Sequence, residues 1–98
     1  MASTETAVIE QIRISEPRKH KVILHNDDKT TIEFVIVVLQ SIFHKSLQES
    51  VEIATHVHVT GSAIVGIYTK EIADEKVVET TALARANGYP LMTTHEEL

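Results

Sequence analysis

Apolar side chains recur at positions 32, 35, 38, 39, 42 and 43, the spacing of one helical face. The stretch Ile32 to Leu39 is also rich in β-branched residues, a composition that suits a buried strand. Two features favour a helix. Thr30-x-x-Glu33 has capping-box spacing, in which each side chain satisfies a free backbone N–H of the first turn. The whole run also exceeds the usual length of a strand. Upstream, Val22-Ile23-Leu24-His25 is a short β-prone segment, and Asn26 to Lys29 is turn chemistry. Downstream, Ser46-x-x-Glu49 is a second capping box, and Leu47, Val51, Ala54, Val57 and His58 share a face behind it. Gly61 then supplies a left-handed stop. Ala63 to Thr69 reads as a central strand and Glu71 to Asn87 as a third helix, ended by Gly88. Tyr89-Pro90 breaks the chain before a last short strand, Leu91 to Thr94. The element order β-α-α-β-α-β predicts an α+β fold, a small three-stranded antiparallel sheet packed against three helices.

Ninety-eight residues make one domain with a modest core. Residues 1–17 carry no sustained period and end in Glu16-Pro17, which predicts a flexible N-terminal extension ahead of a core domain spanning 18–98. The absence of cysteine excludes disulfide and thiolate chemistry and suits a reducing compartment. Met1 to Glu16 lacks the apolar core of a signal peptide, and no apolar run reaches membrane-spanning length. The expectation is a soluble, cytoplasmic protein. A net charge of −5 argues against binding driven by neutralising phosphates, and the one basic cluster, Arg18-Lys19-His20-Lys21, is too short to reverse that.

The candidate chemistry sits at His25-Asn26-Asp27-Asp28, an acceptor-rich junction between the first strand and the first helix. Such a loop can hold a metal, hold a cationic ligand, or serve only as a solvated Asx turn ahead of a helix cap. The repeating oxygen ligands and distal glutamate of a calcium loop are missing. His56-x-His58 invites a zinc reading, but residues two apart on a helix point about 200° apart and do not chelate one ion. That geometry exposes His56 and turns His58 inward beside Val51, Ala54 and Val57. His58 also lies in the last turn of its helix, where free carbonyls favour positive charge. Serine elbows, phosphate loops and zinc signatures are absent, and the adjacent Asp27 and Asp28 cannot flank a scissile bond. The chain therefore reads as a non-enzyme with no cofactor. Thr69-x-Glu71-x-Ala73-x-x-Lys76 opens the third helix, either as a solvated helix start or as a partner surface.

Several pieces together carry a resemblance: Lys21-Val22-x-Leu24-x-Asn26-Asp27-Asp28-x-Thr30, Glu33-Phe34-Val35-x-x-Val38-Leu39, Val57-His58-x-x-Gly61, Gly66-x-Tyr68-Thr69-x-Glu71-x-Ala73-x-x-Lys76-Val77, Ala84-Arg85 and Pro90-Leu91. Each alone is weak; the ordered set, from about Lys21 to Thr94, is specific. The chain resembles ClpS, the adaptor family of the ATP-dependent Clp protease. The resemblance implies recognition of N-degrons: the free α-amino group and bulky first residue (Phe, Tyr, Trp or Leu) of a substrate, delivered to a ClpA-type AAA+ unfoldase without catalysis. It implies α-amino-binding residues at Asn26, Asp27, Asp28 and His58. It implies a hydrophobic pocket around Thr30, Ile32, Val35, Ala54, Val57 and Leu91, and unfoldase docking at Glu71 and Lys76. The N-terminal extension matches a segment that the family needs for hand-off.

Ile32 and Ala54 depart from the family pattern, since many members carry methionines at these two places. Alanine at position 54 enlarges the pocket and removes a flexible packing surface, so first-residue discrimination is expected to differ. Such divergence suits a second paralogue of the adaptor. No nucleic-acid or membrane partner is implied, and a monomer is the simplest expectation. The alternative is a small α+β docking domain that does not read N-termini, which would need neither Asn26 nor His58.

Overall fold

The computed structural model describes residues 18–98. The expected extension 1–17 lies outside the described residues. The elements are β1 (Lys19–His25), α1 (Ile32–Ser41), α2 (Leu47–Thr60), β2 (Ser62–Thr69), α3 (Lys70–Ala86) and β3 (Met92–Glu97). The predicted order holds, with three helices and one three-stranded antiparallel sheet.

The sheet order is β2-β1-β3, so β1 is central and β2 lies at an edge. This corrects the sequence expectation for Ala63 to Thr69. That segment reads as a central strand because it is largely apolar, yet Ile64 and Ile67 are both 53% exposed. Apolar content alone does not separate an edge strand from a central one. A register shift between Val22 and Ile23 bulges the β1–β2 pairing. Gly66 is needed close by, because the Tyr68 ring lies where its Cβ would stand.

One face of the sheet carries the core. Val22 and Leu24 of β1, Val65 of β2 and Thr93 of β3 are buried there, and α3 packs against all three strands. Ala73 and Ala84 are fully buried on α3, where their small size lets the helix approach the sheet closely. From α1 the core takes Phe34, Val35, Val38 and Leu39, followed by Ile42 and Phe43. Five of the six apolar positions of the predicted α1 face agree with this; Ile32 is only half-buried, and Phe34 takes its place in the core.

Helix ends differ in one detail from the sequence reading. Ser46 caps α2 as expected, accepting the Glu49 N–H at 3.1 Å. The α1 cap, however, is Thr31, whose Oγ1 accepts the Phe34 N–H at 3.1 Å. Thr30 is drawn one residue out of the helix because Asp27 engages it. The connection between α1 and α2 turns at His44, the non-glycine residue with positive φ (54°) among the described residues. Gly61 stops α2 in the left-handed conformation at φ 100°, as its position suggested.

The buried face of α2 also departs from expectation. Ser50, Ala54 and Val57 are buried, whereas Leu47 (60%) and Val51 (42%) are exposed. The helix is turned by roughly one position, so that its smallest residues meet the core. His58, one step of about 100° beyond Val57, is thereby exposed instead of inward.

Candidate functional site

The end of β1 runs into loop 26–31, and that loop lies against the last turn of α2. The link is a backbone bond: the Asn26 N–H donates to the Gly61 carbonyl at 2.8 Å. The left-handed turn at Gly61 is what aims that carbonyl back across the gap. Asn26 and His58, far apart in sequence, become neighbours as a result. The Asn26 side-chain Nδ2 points at the His58 backbone carbonyl, 3.5 Å away. This leaves the Asn26 Oδ1 as an open acceptor.

The two aspartates have different duties. Asp27 is turned into its own loop. Its Oδ1 accepts the Lys29 N–H (2.8 Å) and the Thr30 N–H (2.7 Å), and its Oδ2 accepts the Thr30 hydroxyl (2.6 Å). Partial burial pushes the Asp27 carboxyl up. The Thr30 hydroxyl, the Thr30 and Lys29 backbone amides and the Arg85 guanidinium together outweigh that and hold it below its ordinary value. Asp28 is exposed and takes part in no hydrogen bond or ion pair among the described residues. Asp27 therefore shapes the loop, and Asp28 presents a free carboxylate.

The depressed Asp27 value carries a stability consequence with a definite sign. A carboxyl whose folded value is lowered stabilises the fold above its unfolded value, and that contribution is lost as pH falls through the folded value. Asp27→Asn is expected to leave a stability gap to wild type that is full at neutral pH and narrows from about pH 5 downward. Urea midpoints of both proteins across the acid range check this; a gap unchanged by acid would contradict the role given to Asp27.

One cleft of about 460 Å³ gathers Asn26, Asp27, Asp28, Lys29, Thr30, Thr31, Ile32, Glu33 and His58. Asp27, Asp28 and Glu33 outnumber the single ammonium of Lys29, so the rim favours a cation. Five of the expected site residues from β1 to α1 and one from α2 thus share one opening. The other four expected pocket residues do not form its wall. Val35, Ala54, Val57 and Leu91 are only 6, 2, 2 and 1% exposed and belong to the core beneath it. The helical periods of Val35, Ala54 and Val57 commit them to packing, and Leu91 is buried just ahead of β3, which leaves Ile32, half-buried, as the aliphatic side chain at the cleft.

Lys29, Thr31 and Glu33 were not singled out as site residues by the sequence reading. Their adjacency to the acceptor loop was the available signal. A second cleft, about 340 Å³, continues from Lys29 along Arg85, Gly88, Tyr89 and Pro90. Arg85 builds that wall by donating to the Tyr89 (2.9 Å) and Leu91 (3.1 Å) carbonyls. Phe34 and Tyr89 stack behind it, with ring centroids 4.6 Å apart.

Glu71 and Lys76 lie on α3, away from the cleft. Glu71 is exposed in the first turn. Lys76 is half-buried, and its Nζ donates to the Ile42 carbonyl at 2.7 Å, where α1 ends. Its charge thereby offsets the free carbonyls of a helix that has no basic residue in its own last turn.

The profile of the ATP-dependent Clp protease adaptor protein ClpS matches residues 15–94. The chain belongs to the ClpS family. The ClpS of Nautilia profundicola is 45% identical over 95 residues, which cover 97% of this chain and 98% of that protein. The ClpS of Campylobacter jejuni is 43% identical over 93 residues, covering 95% and 97%. Among solved structures, Agrobacterium tumefaciens ClpS2 bound to L-phenylalaninamide superposes with a TM-score of 0.82 at 40% identity. That match covers 85% of this chain and 100% of the other. The α+β arrangement described above is the ClpS fold, and ClpS is a family of Clp protease adaptors. No helix among the described residues is long and apolar enough to cross a membrane.

Proposed function

We propose that this adaptor binds the free α-amino group and bulky hydrophobic first residue of N-degron proteins and delivers them to a ClpA-type AAA+ unfoldase. The observation that carries the reading is the set of unsatisfied acceptors at one opening: Asn26 Oδ1, the free Asp28 carboxylate and the exposed His58 ring. An α-amino group has a pKa near 8 and is mostly an ammonium at neutral pH. Its three N–H donors need acceptors of this kind when it leaves water. Charge-assisted bonds contribute on the order of 1.5–3 kcal/mol each. Asp27 acts as a positioning residue, holding the loop so that Asp28 faces outward.

The first side chain then packs on Ile32 above the buried floor of Val35, Ala54, Val57 and Leu91. Burying Leu or Phe there adds roughly 1.5–3 kcal/mol. The phenylalaninamide held by the Agrobacterium relative pairs a free amino group with an aromatic side chain, the combination this cleft suits. Glu71 and Lys76 on α3 are the docking residues for the unfoldase, on a helix separate from the substrate cleft.

With alanine at position 54 and isoleucine at position 32, the aromatic first residues should fill the floor better than Leu. Peptides differing only in residue one (Phe, Tyr, Trp, Leu, Ile and Val) test this by fluorescence anisotropy. The expected result is Phe, Tyr and Trp binding several-fold tighter than Leu. Leu at full aromatic strength would count against the pocket assignment.

A second reading draws on the near-complete burial of Val35, Ala54, Val57 and Leu91. On that reading the domain docks a partner protein without reading N-termini, and peptides of every first residue bind equally or not at all.

A further inference from the structure

At the far end of β1, about 20 Å along the strand from Asn26, two imidazoles meet. His20 Nδ1 and His95 Nδ1 are 3.1 Å apart. The rings are edge-on, with centroids 5.0 Å apart and planes at 66°. Their placement follows from the register: Val22 pairs with His95 and His20 with Glu97, so His20 and His95 are diagonal neighbours on the face that α3 covers. From α3, Asp74 Oδ1 lies 2.6 Å from His95 Nε2. The His95 side chain is only 18% exposed, so the pair is recessed but reachable.

The Asp74 carboxylate is acceptor-only, so His95 Nε2 carries the proton and donates. With that proton on Nε2, the unprotonated Nδ1 of a neutral His95 ring faces His20 with its lone pair. One tautomer of His20 answers with an Nδ1–H and makes a simple hydrogen bond. The other offers a second lone pair to the same point. Two nitrogen ligands at 2.0–2.1 Å from a tetrahedral zinc ion sit roughly 3.3 Å apart, close to the spacing found here. A carboxylate behind a ligating histidine is also the usual second layer of a metal site, where it fixes the tautomer and raises basicity.

We propose that His20 and His95 bind a divalent late transition metal, zinc by fit, with Asp74 as the positioning residue. No third protein ligand converges with them among the described residues, so water completes the coordination and micromolar affinity is expected. Glu97, opposite His20, is instead paired with Arg18 at 3.2 Å. Bound zinc joins the central strand to the C-terminal strand and, through Asp74, to α3. It stabilises the fold by mass action.

The test uses the full chain, stripped of metal, with zinc chloride as the only added ligand. Calorimetry should give one site, and the thermal midpoint should rise by roughly 10 °C at a hundredfold excess over the dissociation constant. His20→Ala and His95→Ala should each abolish both effects. Asp74→Asn should weaken binding about 10- to 100-fold. His56→Ala, at an exposed histidine elsewhere, should change nothing. If His95→Ala fails to fold, His20→Ala at the start of β1 decides alone. A wild-type protein that ignores zinc, or a His20→Ala variant that binds it as well as wild type does, overturns the proposal and leaves a plain hydrogen-bonded pair.

Discussion

Asp28→Ala and His58→Ala should each weaken binding of a Phe-initiated peptide by roughly 10- to 100-fold, the loss of one charge-assisted or well-aligned hydrogen bond. Neither should lower stability appreciably. Both side chains are exposed and take part in no hydrogen bond with another described residue. Surface changes of that kind usually alter stability by no more than about 0.5 kcal/mol. The double variant should be close to additive if the two acceptors hold different N–H groups of one ammonium, and less than additive if they share one. Peptide anisotropy and thermal melts on the same preparations separate affinity from folding. Loss of the cooperative melt in either variant would make these residues structural and remove them from the site.

Leu24→Ala should produce the opposite pattern. Leu24 is fully buried on the central strand, between the two edge strands and under the helices. Truncating a buried leucine costs about 2–5 kcal/mol, because the lost transfer energy is joined by the cavity left behind. Domains of this size have only about 5–15 kcal/mol in total. Each kilocalorie shifts the midpoint by roughly 4–8 °C, so a fall of 10 °C or more is expected. Molecules still folded should bind peptide nearly as wild type does, because Leu24 is buried in the core and does not line the cleft. Urea unfolding, followed by anisotropy at low temperature, checks both halves. A melt unchanged from wild type would mean that the central strand does not carry the core as described.

The contrast between these two substitutions also marks what the sequence could and could not convey. Element order was legible because apolar periods switch cleanly along the chain and because Ser46, Gly61 and Gly88 punctuate it. The acceptor loop was legible as well, since Asn26, Asp27 and Asp28 are consecutive. Whether each aspartate faces inward or outward was not. That depends on Thr30, whose hydroxyl and amide both go to Asp27, a local competition that also shifts the α1 cap to Thr31. The turn of α2 that exposes His58 was hidden for a similar reason. Leu47 and Val51 are apolar and fit the inward stripe, but the core selects Ser50 and Ala54 for size.

The identity of the central strand is a long-range property. β1 is short and flanked by charge, yet it pairs on both sides, while the more apolar β2 keeps an open edge. Lys76 shows the same limit at one residue. Its position in the family motif raises an expectation of docking, but only the fold shows its amine committed to the Ile42 carbonyl at the end of α1. Val35, Ala54, Val57 and Leu91, expected at the pocket and found in the core, are a further case. Apolar period identifies them as inward-facing, and cannot say whether inward means the wall of a cleft or the core below it.

The central claim is that a free amino terminus is read by a polar cradle set over an apolar floor. The most direct measurement is a fluorescence-anisotropy titration of the wild-type chain with a Phe-initiated peptide and with its N-acetylated twin. Acetylation removes the positive charge and two of the three donors, so the account predicts saturable binding of the free peptide and a loss of at least about 100-fold for the twin. Equal affinity for the two peptides would contradict it.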